Sequence, residues 1–380
     1  MIWTRNDNGG IASDNYPNGL VLDGSNNAII TGYHRSAPYF TNVNFYTAKY
    51  TCDWPGAIVW SKEYDDPAHS QDISYALGVF PSGNVVVTGQ SYASASDPEC
   101  FTLKYGASDG TVAWQNRDSR AYTAKALTVD SSGYLIVTGQ SKATGGFYTA
   151  KYGGAGGGLV WATSDGGNSV TAAVAVDGSG NVFVTGTNVS YNPTQHDDYC
   201  TVKYDAATGD KIWQSAYPGV ETSGTSVPAA LATDSAGNVI VTGYSYVTSG
   251  SADFCTVKYA AATGTQIWVH TYNGPSSRDD KAKGIVVDTN GDVYVTGSSP
   301  NSNGDNDFYT AKYSGSNHGA LVWAKRYNNG GDDQAMAIAL DPTSGNVVVT
   351  GSSSNTTTGL NEYCTVKYNS DGVQMWAMRY

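Results

Sequence analysis

Three short markers recur seven times in the same order, and that repetition limits the fold more than any other property of the chain. A Thr-Gly pair places Gly at 32, 89, 139, 186, 243, 297 and 351, at spacings of 57, 50, 47, 57, 54 and 54. A Lys-Tyr pair follows each, with Lys at 49, 104, 151, 203, 258, 312 and 367. A Trp follows each pair, at 60, 114, 161, 213, 268, 323 and 376. A length of 380 residues would otherwise suggest two or three domains, but a closed array of repeats overrides that expectation.

Each copy divides into four strand-like runs separated by Gly, Asn and Asp. In the sixth copy these are 282–288 (AKGIVVD), 292–298 (DVYVTGS), 307–313 (DFYTAKY) and 320–327 (ALVWAKRY), here called strands A to D. No long 3.6-residue period is present, so helices should be scarce. A period near 50 residues with four strands per unit predicts an all-β, seven-bladed β-propeller with four antiparallel strands per blade. One four-stranded sheet cannot cover both of its faces; stacking against two neighbours does, and ring closure removes the ends. The blades are expected near 16–65, 72–118, 122–165, 169–217, 226–272, 280–327 and 333–380, in a single domain over 1–380. Residues 1–6 form an extra run of outer-strand type around Trp3. Two segments therefore compete for the last outer strand. The turn Ser370-Asp371-Gly372 favours a local hairpin through Val373–Arg379, and closure between the termini favours Ile2–Arg5.

In copies 4 and 5 the C–D turn and its Trp run 203–213 (KYDAATGDKIW) and 258–268 (KYAAATGTQIW). These resemble the tryptophan-docking motif of quinoprotein propellers, with Lys where that motif begins with Ala. The resemblance implies that Trp60, Trp114, Trp161, Trp213, Trp268, Trp323 and Trp376 pack between blades as structural residues. One buried Trp covers roughly 150–250 Å², on the order of 4–6 kcal/mol gross as an upper bound. The chain as a whole is similar to SBBP-type bacterial β-propeller repeats, shown by 173–186 (AVAVDGSGNVFVTG) and 253–258 (DFCTVK). It departs from them in carrying Trp in strand D where those repeats often carry Tyr. That resemblance implies a secreted or cell-surface bacterial location and no particular activity.

The balance of charge is −12 with a pI near 4.7, which argues against phosphate backbones and anionic membranes as partners. It leaves cations, basic proteins and neutral glycans. There is no apolar run of membrane-spanning length, so no membrane insertion is expected, and the start shows no signal peptide. Five Cys are too few for a disulfide scaffold. Cys200, Cys255 and Cys364 stand where other copies carry Tyr46, Tyr148 and Tyr309, and Cys100 lies one position earlier, which marks packing positions.

Strand direction places the short, repetitive A–B and C–D turns on one side and the long, irregular B–C and D–A loops on the other. Function on a repeat scaffold collects where the repeats differ, so the B–C/D–A side is the expected interaction surface. On the short-turn side, six A strands end in Asp (Asp23, Asp130, Asp177, Asp234, Asp288, Asp341), and Phe80 breaks the series. With the strand-C Lys these predict a structural ion pair or a turn-capping Asp. On the loop side, Asp72, Asp280 and Asp333 enter strand A in copies 2, 6 and 7, with Asn15 in copy 1 and Tyr122, Ser169 and Ser226 in the rest. With Asp279 and Asp332 beside them they predict an acidic arc at the channel mouth that attracts a cation or cationic ligand. The competing reading is that each Asp caps the strand entry. The loop 301–307 (NSNGDND), with Asp305 and Asp307, offers oxygen ligands of the kind Ca²⁺ takes, without the spacing of an EF-hand. No other cofactor is implied. Tyr33, Tyr39, Tyr92, Tyr191, Tyr244 and Tyr246 fall on the loop side and suit a glycan or protein surface. His34, His69, His196 and His270 fall on or near it in different copies and His318 on the other side, none with ligand spacing.

These features favour a non-catalytic binding or scaffold module that presents its variable loops to a protein or glycan. One alternative is a propeller-type lyase or hydrolase with Asp72, Asp280, Asp333 and His69 at the channel mouth. Another is a subunit of a self-associating filament or lattice, in which an unpaired terminal strand adds to a neighbour's edge.

Overall fold

The computed structural model describes residues 14–35, 43–53, 56–67, 69–94, 97–167, 169–190, 196–219, 225–246, 250–276, 278–341, 343–355 and 357–380. The described residues form seven four-stranded antiparallel sheets, each ordered A-B-C-D, and contain no helix. The fold class is an all-β, seven-bladed β-propeller. The blades span 14–64, 73–118, 121–166, 169–217, 226–272, 281–327 and 333–379. Two compact units divide the chain: Met1–Val174 with Asp205–Asp210, and Ala175–Tyr204 with Lys211–Tyr380. The first holds blades 1 to 3 with most of strand A and the C–D turn of blade 4, and the second holds the rest.

The Thr-Gly marker has a local cause. Strand A of blade 2 (Ile73–Val79) shifts register between Ser74 and Ala76. This bulge swings the Ile73 carbonyl towards strand B (Val85–Ser94), where a Cβ on Gly89 would lie 2.0 Å from that oxygen. Strand A of blades 1, 5, 6 and 7 carries a bulge opposite the same Gly. The Thr beside it bonds a strand-C Thr across each sheet, from Thr88–Thr102 at 2.8 Å to Thr138–Thr149 at 3.2 Å. A two-hydroxyl pair of this kind satisfies polar atoms at the centre of a buried sheet.

Lys, Tyr and Trp join one blade to the next. In the first unit, the Ala107 carbonyl in the C–D turn of blade 2 accepts from both Lys49 Nζ (2.8 Å) and Trp60 Nε1 (3.3 Å) of blade 1. In the second, the Ala261 carbonyl accepts from Lys203 (2.9 Å) and Trp213 (3.0 Å). Gly264 of that turn lies flat on the Trp213 indole, where a Cβ would come within 2.6 Å, and its φ of +69° suits glycine alone. The Trp then faces the buried Tyr of the next Lys-Tyr pair, as in Trp60–Tyr105 (5.7 Å) and Trp323–Tyr368 (6.1 Å). Trp60, Trp161, Trp213, Trp268 and Trp323 are 5–8% exposed, whereas Trp376 is 37% exposed.

The last outer strand is the local one: Gln374–Arg379 pairs antiparallel with Asn361–Tyr368. Residues 1–6, proposed above as its competitor, lie outside the described residues.

Candidate functional site

The two sides of the blades bury charge differently. On the short-turn side the strand-A Asp does two things at once. Asp234 Oδ1 accepts the N–H groups of Ala236 (3.0 Å) and Asn238 (2.9 Å), closing the A–B turn, and its other oxygen pairs with Lys258 at 2.8 Å. The same pairing joins Asp23 to Lys49 (2.7 Å), Asp130 to Lys151 (3.3 Å) and Asp177 to Lys203 (3.3 Å). In blade 6, Lys312 leans towards Asp292 (2.8 Å) more than Asp288 (3.9 Å). Burial opposes ionisation of Asp23, but Lys49 and the Asn27 donors outweigh it and hold its pKa far below the usual carboxylate value. In blade 2, Phe80 stands where the Asp would be; Lys104 lies over its ring at 4.5 Å and bonds the Gly154 carbonyl. Burial without a carboxylate lowers the Lys104 pKa. This lattice is structural.

The loop side is built otherwise. Asp72, Asp280 and Asp333 have no exposed surface. Each accepts a backbone N–H from its own D–A loop: from Asp66 (2.8 Å), Gly274 (2.6 Å) and Asn329 (2.7 Å) respectively. They tie down loops and do not present an open acidic arc. Burial raises the pKa of all three, taking Asp72 up to about 6.

These carboxyls come with a cation that the sequence reading missed. Three residues after the repeat Trp stand Arg117, Arg326 and Arg379, in the same three blades as the buried Asp. The other blades carry Glu63, Ser164, Ala216 and Thr271 there. Arg326 bonds the Tyr272 hydroxyl of blade 5 (3.0 Å) and Ser299 Oγ (2.8 Å), and pairs with Asp307 (3.0 Å). Arg117 repeats this with Tyr64 (3.2 Å), Ser91 (2.9 Å) and Glu99 (3.6 Å). The joint occurrence of Arg at Trp+3 and Asp at the strand-A entry was legible in the repeats, although each Arg pairs with a strand-C carboxylate, Glu99, Asp307 or Glu362, and not with the entry Asp. In blade 3 a bulge puts Ala121 opposite Ser141, so Tyr122, assigned to that entry position, is exposed instead.

One open concavity sits on the loop side of the second unit. A cleft of about 470 Å³ is lined by Gly250, Ser251, Arg278, Asp279, Pro300, Gly304 and Asn306. Ser251 Oγ is buried and has no hydrogen-bond partner. Asp279 accepts the Ala252 N–H (3.0 Å) and pairs with Lys281 (2.6 Å). Lys281 lies over the rings of Tyr244 (5.0 Å) and Tyr246 (5.6 Å), which meet edge to face at 5.8 Å. Asp332 accepts from the Asn306 N–H (2.9 Å) and side-chain amide (3.2 Å) and so holds the cleft wall. Asp279, Asp332, Tyr244 and Tyr246 are thereby brought to one place; Tyr92 belongs to blade 2 and is bonded to Gln90 (3.0 Å). Beneath the cleft, Asp253 is 7% exposed, and burial together with the Asp280 charge pushes its pKa up to about 6. Blade 5 has Thr271 at Trp+3, so no Arg neutralises it.

Asp307 is committed to Arg326 and accepts from the Asn301 amide (3.0 Å), while the loop around Asp305 closes on Asn301 Oδ1. His34 is buried against Glu63 (2.9 Å). His270 stacks on Tyr313 (5.1 Å) and points to the His318 carbonyl in a C–D turn, so it belongs to the short-turn side and not to the loop side expected of it. Cys100 and Cys255 are buried free thiols whose pKa values burial pushes up to about 12. Tyr39, Tyr191 and the side chain of His196 lie outside the described residues.

All-β propeller blades of this kind define the class. The model of the SBBP β-propeller repeat matches residues 259–305, from the end of blade 5 into blade 6, so that stretch is similar to an SBBP repeat. No curated protein matches it. Among solved structures it is similar to BamB from Moraxella catarrhalis, at 13% identity and a TM-score of 0.52, over 97% of this chain and 90% of that one. It is also similar to the Dos1 propeller (9%, TM-score 0.59, 88% and 75%) and to a protein from Lactobacillus plantarum (13%, TM-score 0.55, 92% and 95%). At these identities the likeness concerns fold. Among the described residues no helix is long and apolar enough to cross a membrane.

Proposed function

We propose that this propeller is a non-catalytic binding module, and that the cleft between Ser251, Arg278, Asp279 and Asn306 receives a saccharide unit of a neutral glycan. The cleft itself carries the proposal. Its volume of about 470 Å³ suits a small polar molecule better than a flat protein epitope. It offers a guanidinium, a carboxylate, an amide and an unpartnered hydroxyl, which together can meet the alternating donors and acceptors of a sugar ring. Lys281, paired with Asp279 of the lining, lies over the Tyr244 and Tyr246 rings and ties that aromatic pair to the cleft wall. Because Asp279 and Lys281 neutralise each other, a neutral ligand fits better than a charged one. A secreted or cell-surface location accords with such a role and with the SBBP likeness.

A glycan-array screen of the wild type beside an Asn306→Ala/Asp279→Ala variant tests this. Binding that disappears in the variant is expected. No glycan bound, or equal binding by both proteins, would overturn the assignment, and a protein ligand would then be sought on the same loops.

A further inference from the structure

The strand-A bulge that shapes the Thr-Gly marker also inserts one unpaired residue per blade, and a bulge re-aims the side chain it inserts. In blades 1, 2 and 3 the inserted residues are Asn18, Tyr75 and Lys125. Blades 5 and 7 make the same bulge with Ala229 and Met336, so the backbone demands neither the ring nor the ammonium. The three strands stand side by side within the first unit. The Asn18 amide donates to the Ser74 carbonyl at 2.7 Å, and Lys125 Nζ lies 3.5 Å from the centroid of the Tyr75 ring. Tyr16 and Tyr33 face each other across strands A and B of blade 1 and stack at 4.8 Å, with the Arg35 guanidinium over Tyr16 at 5.5 Å. Burial raises the pKa of the Tyr75 hydroxyl, and the nearby Tyr92 and Tyr33 hydroxyls add to the shift, so the rings of blades 1 and 2 converge. Tyr16 is 40% exposed and Tyr33, Tyr75 and Tyr92 are half-buried, so these rings are presented to solvent and not sealed in a core.

Lys125 differs from the other lysines of the unit that protein surrounds. Lys49 and Lys151 each meet an Asp and a backbone carbonyl, and Lys142 meets Asp97. Among the described residues Lys125 meets no carboxylate and no hydrogen-bond acceptor. The protein around it lowers its pKa with no acid to offset the effect, yet its side chain keeps exposed surface. An ammonium crowded by protein, reachable from solvent and lacking a counter-ion has its donors free for an anion. We propose that the strand-A edge of blades 1 to 3 binds a carboxylated saccharide, a uronate unit of an acidic glycan, with Lys125 taking the carboxylate and the Tyr16, Tyr33 and Tyr75 rings lining the sugar. Flat rings that carry hydroxyls match the C–H faces and the hydroxyls of a pyranose, which an acidic peptide does not offer together. The net charge of −12 opposes an anion only at long range and is screened beyond about 8–10 Å in physiological salt, whereas this pair forms in contact. The site shares no residue with the cleft and does not depend on what binds there.

Titration calorimetry with a galacturonate trimer and its methyl ester tests the site, because the ester keeps the sugar and removes the charge. The wild type is expected to bind the acid at least about tenfold more tightly than the ester. Lys125→Met, which keeps an apolar stem over Tyr75, should abolish that preference, and Lys125→Arg should restore it. The cleft variant Asp279→Ala/Asn306→Ala should leave it intact. No binding of the acid, equal binding of acid and ester by the wild type, or an undiminished preference in Lys125→Met would overturn the proposal. Loss of the preference in the cleft variant would overturn it too, by moving the carboxylate to the cleft. A glutamate trimer bound as tightly as the uronate through Lys125 would replace the glycan with an acidic protein segment.

Discussion

The short-turn side and the loop side of the blades bury comparable charge to different ends. On the short-turn side, Lys meets the strand-A Asp of its own blade in blades 1, 3, 4 and 5, and the Lys of blades 1 to 4 also reaches a backbone carbonyl of the next turn; Phe80 in blade 2 and the Asp292 pairing in blade 6 depart from the pattern. On the loop side, Asp and Arg occur together in blades 2, 6 and 7 and are replaced together elsewhere. Repetition of a buried charge pair in most copies marks scaffold. Joint presence and joint absence mark a local solution, and the place where the local solution is incomplete is Asp253.

The comparison predicts large, blade-independent losses on the short-turn side. Trp213→Ala should cost about 3–5 kcal/mol in denaturant unfolding, and Trp161→Ala about the same. A loss under about 1 kcal/mol at either would show that the indole is not holding the blades. Lys203→Met strands Asp177 and the Ala261 carbonyl and should cost about 3 kcal/mol. On the loop side, Arg326→Thr alone should cost about 2 kcal/mol, but adding Asp280→Ser, which recreates the Ser226/Thr271 pattern of blade 5, should recover at least about 1 kcal/mol. Simple additivity in that double-mutant cycle would break the link between the two positions.

The smallest effect concerns pH. A carboxyl whose pKa is raised in the folded state favours folding at low pH, and that advantage fades as pH rises from the unfolded value of 3.8 through about 6. Asp253→Asn should therefore gain about 1 kcal/mol at pH 7, after allowance for solvent screening, and nothing near pH 4. Asp23 is shifted the other way: its contribution is present above the unfolded value and disappears as pH falls, so Asp23→Asn should lose stability at pH 7 and not in acid. Equal effects at both pH values would remove either assignment.

Much of the fold was legible because its markers are steric. Gly89 recurs since a bulged carbonyl occupies the space of a side chain, and Thr88 since its hydroxyl has a partner in strand C. These needs are met within one blade, so they print themselves on every copy. The cleft was only partly legible. Asp279, Asp332, Tyr244 and Tyr246 were picked out singly, but the union of loops from blades 5 and 6 with Arg278 and Ser251 depends on distances that no spacing encodes. Asp72, Asp280 and Asp333 were visible as acids and invisible as buried ones, because their burial depends on how each D–A loop folds back to place a main-chain N–H on the carboxylate.

One detail of the blade junctions reaches beyond stability. Trp and Lys recognise a main-chain oxygen at the second position of the following turn, be the residue Ala107, Gly154, Ala206 or Ala261. The turns that carry it read GASDGT, GGAGGG, DAATGD and AAATGT. A socket that asks only for that oxygen and for the glycine beneath the indole accepts any turn that supplies both, so a duplicated blade can be spliced beside a stranger without first evolving a wider matched surface. Such a chain can lengthen, shorten or trade modules by recombination while its loops diversify independently.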